Sequence, residues 1–175
     1  MSVPRLDPMP ADRPLTLRSA RTQDVPVIQA LVEPLARERV LLQKEAVAYY
    51  EAIQEFVVAE EADGTLAGFG ALHVMWQDIA EVRTLAVSEA HRGTGVGHLI
   101  IEELLDRARA VGVERVFCLT FEVEFFRRHG FEVMADQSAV DPEVYAELLR
   151  STDEGVAEFL DLARVKPNTL GNTRM

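Results

Sequence analysis

A chain of 175 residues with 48% hydrophobic side chains can bury one sizeable core and fits a single domain. Its net charge of −11 argues against nucleic acid or an anionic membrane as partner, except at local basic spots. One cysteine, Cys118, excludes an intrachain disulfide and suits a reducing cytoplasm. No apolar run approaches the ~20 residues of a membrane span, no signal-peptide segment opens the chain, and His73, His91, His98 and His129 show no metal spacing.

In chain order, residues 1–14 hold four prolines among polar residues and read as a loose tail; residues 15–175 form the domain. Leu15 to Ser19 alternates as a first strand. Thr22 is placed to cap a helix whose apolar stripe is Val27, Ile28, Leu31, Val32 and Leu35, with a break after Pro34. A second helix is expected over Lys44 to Gln54. Phe56 to Glu60 and Leu66 to Val74 are strands joined by a hairpin with Asp63-Gly64 at its centre.

Glu81 to Val87 is the next strand, ended by a polar cluster. A basic glycine loop, Arg92 to Gly97, follows and runs into a helix with Val96, Leu99, Ile100, Leu104 and Ala108 on one face. Arg115 to Phe121 is almost continuously apolar and reads as a central, buried strand. A short helix over Glu122 to His129 stops at Gly130. Phe131 to Met134 begins another strand, Pro142 to Arg150 is helical, and Val156 to Val165 is expected to close the sheet. Antiparallel strands followed by β-α-β across the loop give an α/β fold, in the α+β sense, with a mixed sheet of about six or seven strands and helices on both faces.

The loop calls for a phosphate. Gly93, Gly95 and Gly97 permit positive φ and close backbone approach, and the helix start offers free N–H groups and a positive dipole end. Arg92 adds a charge at the mouth. A Walker loop is excluded because no Gly-Lys-Ser/Thr follows, and His98 stands where a dinucleotide fingerprint needs its third glycine.

The spacing Arg92-x-x-Gly95-x-Gly97 after a strand resembles the pyrophosphate loop of the GNAT acetyltransferase superfamily. Phe125-Phe126-x-x-x-Gly130-Phe131 is similar to that family's Phe-Tyr-x-x-x-Gly-Phe segment, in the expected place. Within the superfamily the chain looks most like the short, stand-alone bacterial N-acetylglutamate synthases. The likeness lies in Leu17 to Ala20 with Asp24, Leu41 to Lys44, Gln54 to Phe56, Ala71 to His73, Glu81 to Val87, Leu119 to Glu122 and Val165 to Asn168.

The resemblance implies acetyl-CoA as co-substrate, no metal, and a small amino-acid acceptor, L-glutamate, in the first step of arginine synthesis. Arg92, Gly93, Thr94, Gly95, Val96, Gly97 and His98 would hold the pyrophosphate, Leu85, Ala86 and Val87 the pantetheine arm and thioester carbonyl, and Phe126 would line the same channel. An α-amine is mostly protonated at neutral pH, so a proton acceptor is required. Glu81 is the carboxylate best placed to act, and the resemblance implies that it does so through an ordered water, with the Thr120 hydroxyl helping. Glu81 could instead be a surface carboxylate paired with Arg83. Lys44 and Arg83, then Lys166 and Arg174, are the cations for the acceptor's carboxylates. Phe126 stands where the superfamily often carries a tyrosine and cannot protonate the departing thiolate. Another amino acid such as L-glutamine, a protein N-terminus or lysine as acceptor, and a non-catalytic CoA-binding regulatory module stay open as alternatives. Many similar proteins are homodimers, but no sequence feature fixes an interface.

Overall fold

Among the residues that the computed structural model describes, 14–134, 141–160 and 172–175, six strands form one sheet in plain chain order. They are β1 (Thr16–Ser19), β2 (Phe56–Glu60), β3 (Leu66–Val74), β4 (Ile79–Val87), β5 (Arg115–Thr120) and β6 (Thr173–Arg174). All neighbours are antiparallel except β4 and β5. Those two are parallel because a long helix, α3 (Val96–Ala110), carries the chain back between them. The shorter helices are α1 (Val25–Arg37), α2 (Ala46–Glu51), α4 (Val123–Arg127), α5 (Pro142–Leu148) and α6 (Glu154–Phe159). The expected mixed α/β architecture is the one the chain adopts.

Alternation along the strands divides the core between the two faces. On one face Val57, Ala59, Val82 and Cys118 pack under Val96, Ile100 and Leu104 of α3. A Cβ on Gly70 of β3 would stand 3.0 Å from Ile100 and Leu104, so glycine there lets α3 lie close to the sheet. The other face carries two separate apolar clusters. Phe56, Val58, Phe69 and Ala71 meet Val25, Ile28 and Val32 of α1 and Tyr49 of α2. Ile79 and Phe117 meet Leu148 of α5 and Val156 of α6. The gap between these clusters is polar.

A bulge in β4 sets the geometry that matters most. Phe69 pairs with Ala86 and Ala71 with Arg83, so Gly70 alone faces two residues, Thr84 and Leu85. Thr84 takes φ +54, unusual for a β-branched residue. The extra residue resets the alternation: Val82 points to the α3 face before it, and Leu85 and Val87 do so after it, with Ala86 on the other side. The parallel ladder to β5 ends at Val82 and Cys118. Beyond that point β4 and β5 no longer pair, and the sheet opens beside the start of α3.

Several expectations are corrected. Thr22 does not cap α1: residues Thr22–Asp24 form a 3-10 turn, closed by Asp24 accepting the Arg21 N–H at 2.7 Å. Asp24 is also held by Arg18 (2.7 and 3.0 Å), which binds Glu60 as well and so ties β1 to both neighbours. Pro34 does not break α1. It lies on the exposed side, where the freed Ala30 carbonyl meets water, while Val32 and Ala36 stay buried. The second helix is shorter than expected, with Ile53–Glu55 a separate 3-10 turn.

Strand β5 is not central; it lies next to the sheet's last strand, with Arg115 exposed. Phe131 to Met134 is not a strand, because β6 holds that edge: Met175 and Cys118 exchange both backbone hydrogen bonds at 2.8 and 2.9 Å. Val156 to Phe159 is helical rather than extended, with Asp153 accepting the Val156 N–H at 3.0 Å at its start. Residues 161–165 of that expected strand, Lys166, and most of the expected tail lie outside the described residues.

Candidate active site

The glycine loop takes the form its sequence requires. Gly93 and Gly95 have φ +76 and +90, and a Cβ on either would meet nothing within 4 Å, so the demand is conformational. Gly95 caps α3, Val96 is buried, and Arg92 and Thr94 are exposed. Gly97 is constrained by space, its Cβ position 3.2 Å from Phe125. Open space, left-handed glycines and the free N–H groups of a 15-residue helix together fit a pyrophosphate.

Three contacts that the sequence did not reveal hold this loop. Ser88 Oγ meets His91 Nδ1 at 2.7 Å, and His91 Nε2 meets the buried Glu61 carboxylate, which ties the loop to the β2–β3 hairpin. His98 Nδ1 lies 2.6 Å from His129 Nε2, and both rings pack on Phe125. Burial, then the neighbouring His98, pushes the His129 imidazole below its ordinary value. Phe126 is a core residue, edge-on to Phe125 and Phe131.

Glu81 and Arg83 project into the polar gap on the opposite face from α3. Glu81 is 4% exposed, so it is no surface carboxylate, yet it is paired with Arg83. Arg83 donates from Nε (2.9 Å) and Nη2 (2.6 Å), both to Glu81 Oε2; Oε1 has no hydrogen-bond partner among the described residues. Arg83 also donates from Nη1 and Nη2 to Asp153, at 2.9 and 3.0 Å. Burial works against the Arg83 charge, but Glu81 and Asp153 outweigh it and hold its pKa above the ordinary value. Gly155 of α6 packs on this pair, and a Cβ there would stand 2.8 Å from both Arg83 Nη2 and Glu81 Oε2.

Lys44 borders the same gap, where it feels Arg83, Glu81, Asp153 and Glu55. Burial first, and Arg83 second, push its pKa down. Arg174 lies on β6 opposite Leu119. Asp153 and Gly155 escaped the sequence reading because they stand far along the chain in a segment expected to be loop and strand.

Thr120 is brought to the same opening from the other side. Cys118 packs on the α3 face and Leu119 on the opposite one, so alternation carries Thr120 to the α3 face. Its Oγ1 accepts the Glu122 N–H at 2.8 Å, which leaves the hydroxyl proton free to donate. Glu81 and Thr120 thus flank the opening between β4 and β5 from opposite faces. Leu85, Ala86 and Val87 line its β4 side just past the bulge.

An open β4–β5 seam, a β4 bulge and a glycine loop at the head of α3 lie together, and the family model for GNAT acetyltransferases matches residues 27–131. The chain belongs to the GNAT acetyltransferase family. It is 53% identical over 168 residues to an amino-acid acetyltransferase of Mycobacterium tuberculosis, spanning 95% of each chain. A Mycobacterium tuberculosis protein solved in complex with CoA superposes with a TM-score of 0.86 at 54% identity, over 91% of this chain and 96% of that one. The N-acetylglutamate synthase of Neisseria gonorrhoeae, complexed with coenzyme A and N-acetyl-glutamate, gives a TM-score of 0.74 at 25% identity. That match spans 93% of this chain and 34% of that longer one. This GNAT protein is therefore an acetyl-CoA-dependent acetyltransferase. Among the described residues, no helix is long and apolar enough to cross a membrane, and no group of three His, Cys, Asp or Glu side chains could hold a metal.

Proposed function

We propose that this GNAT enzyme acetylates the α-amine of L-glutamate, forming N-acetyl-L-glutamate at the entry to arginine synthesis in the cytoplasm. The observation that carries the reading is the Glu81 carboxylate, buried on the acceptor side with one oxygen clamped by Arg83 and the other without a hydrogen-bond partner among the described residues. Acetyl-CoA supplies the activated acyl group as a thioester.

The chain's own residues do the rest. The loop N–H groups of Gly93 to Gly97, with Arg92, bind the pyrophosphate. Backbone N–H groups at Leu85 and Val87, turned by the bulge, polarise the thioester carbonyl. Glu81 takes the ammonium proton through a water at Oε1 and so frees the amine lone pair. Thr120 faces the leaving side and offers its hydroxyl as a hydrogen-bond donor to the departing thiolate, which leaves as the anion; Phe126 has no such hydrogen to offer.

Lys44 is the principal cation for an acceptor carboxylate. Arg83 already spends most of its donors on Glu81 and Asp153 and offers one remaining Nη1 hydrogen. A small acceptor is favoured over a peptide because α6 closes against the Glu81–Arg83 pair at Gly155. Thiol release from acetyl-CoA with a panel of free amino acids tests the reading. Selective turnover with L-glutamate is expected; equal rates across the panel, or none, would remove glutamate as the acceptor.

A further inference from the structure

His73 and Glu55 face the acceptor gap and have no part in the scheme above. The β3–β4 register sets His73 directly opposite Glu81. Opposed residues of an antiparallel pair hold their Cβ atoms about 5 Å apart on one face. From the other side Glu55, in the turn just before β2, meets His73 Nδ1 through Oε1 at 2.7 Å.

With Glu55 accepting in this contact, Nδ1 is the donor and Nε2 is the nitrogen left to take up a proton. Nε2 has no hydrogen-bond partner among the described residues. Glu55 Oε2 is buried with no hydrogen-bond partner among the described residues, an arrangement that native structures seldom keep without a use. Exposure separates the two candidate proton carriers: the His73 side chain is 22% exposed and that of Glu81 is 5%. A proton on His73 can reach solvent where one on Glu81 is confined. The other charged groups around the ring are Arg83 from β4, Lys44 from the segment before α2 and Asp153 from the start of α6.

We propose that His73 Nε2 is the exit for the proton that Glu81 draws from the acceptor amine, with Glu55 fixing the ring. The inference rests on Glu81 as base. In the step, an N–H bond of the acceptor ammonium breaks and its electron pair stays on nitrogen for attack on the thioester. The proton passes through the Glu81-side water to Nε2, forming an N–H bond there. The resulting imidazolium faces Glu55 and releases the proton to solvent. No electron changes owner. His73 is then a relay residue and Glu55 a positioning residue.

The test measures pH profiles of turnover for His73→Gln, His73→Ala with and without added imidazole, Glu55→Gln and Glu81→Gln, with acetyl-CoA binding by calorimetry as the check on folding. We expect His73→Gln to lose about tenfold to a hundredfold in kcat, with acetyl-CoA binding unchanged. Imidazole restores His73→Ala, which a merely structural tie between the two residues would not allow. Glu55→Gln falls between the parent and His73→Gln. If Glu81→Gln is slow while His73→Gln keeps the parent's turnover and pH profile, the relay is wrong and the base assignment stands. If Glu81→Gln turns over like the parent, the base assignment falls and the relay with it.

Discussion

Asp153 stands seventy residues from Arg83 and closes a two-point ion pair with it, Nη1 to Oδ2 at 2.9 Å and Nη2 to Oδ1 at 3.0 Å. Through Arg83 the pair reaches Glu81, so a residue at the head of α6 fixes the carboxylate on β4. Burial alone would raise the Asp153 carboxyl, but the hydrogen bonds and charge of Arg83 outweigh it and hold it well below the usual carboxylate range. Its folded pKa is depressed, so its stabilising contribution is present above the ordinary carboxylate value near ~4 and is lost as pH falls towards the depressed one. Asp153→Asn should cost about 2 kcal/mol near neutral pH, less than a fully buried pair because the carboxylate is partly exposed. Its stability deficit should shrink in acid. Chemical denaturation at two pH values measures both effects.

Gly155 has an ordinary backbone, so its requirement is space. Gly155→Ala would set a methyl group 2.8 Å from Arg83 Nη2 and Glu81 Oε2. The arginine tip is pinned from two sides and cannot swing clear without losing a partner. We expect kcat to fall about tenfold or more, because a ~1 Å misplacement of a catalytic group is costly. Acetyl-CoA affinity should be unchanged, since the glycine loop lies on the other face. Steady-state kinetics with a calorimetric titration of CoA separates the two.

The sequence carried much of this site and missed the rest for physical reasons. Strands β2 to β5, α3 and the glycine loop follow from alternation, helical periodicity and glycine placement, which are local signals. Glu81 and Lys44 stood out as a carboxylate and a cation in recognisable surroundings. The Asp153–Arg83 pair, the Gly155 contact and the His91–Glu61 tether are long-range and leave no periodic trace. The described part of the expected last strand, Val156 to Phe159, misled because its apolar residues suit a strand as well as a helix. What decides for the helix is the Asp153 cap and the packing of Val156 and Leu160 on Ile79 and Phe117. Pro34 misled because its cost depends on whether the freed carbonyl faces water.

Lys44 should govern the acceptor and leave the cofactor alone. Its pKa is pushed down by burial and by Arg83, so its charge is lost at lower pH than for an ordinary lysine. Lys44→Met is expected to raise the acceptor KM at least tenfold, with the acetyl-CoA KM unchanged. In the parent, the acceptor KM should climb as pH rises through the lowered Lys44 value. That climb should vanish in the variant. KM measured against pH for both proteins checks it.

Thr84 pays for the bulge with a left-handed backbone. Thr84→Gly removes strain of roughly 1–3 kcal/mol and adds unfolded-state entropy of about 1 kcal/mol, for a net gain of about 1 kcal/mol. A denaturant midpoint shifted upward with an unchanged slope would show the gain.

His91 links Ser88 to Glu61 at the base of the phosphate loop. His91→Ala should therefore weaken CoA binding several-fold and leave kcat at saturating acetyl-CoA close to the parent value. Calorimetric titration of CoA, set beside steady-state rates, reads the two separately.

The most direct measurement is thiol release from saturating acetyl-CoA with L-glutamate, compared between the parent and Glu81→Gln, with CoA binding measured on the same samples. The account predicts parent turnover and a fall in kcat of about a hundredfold or more in the variant, while CoA binds both equally. Equal turnover in the two proteins would contradict it.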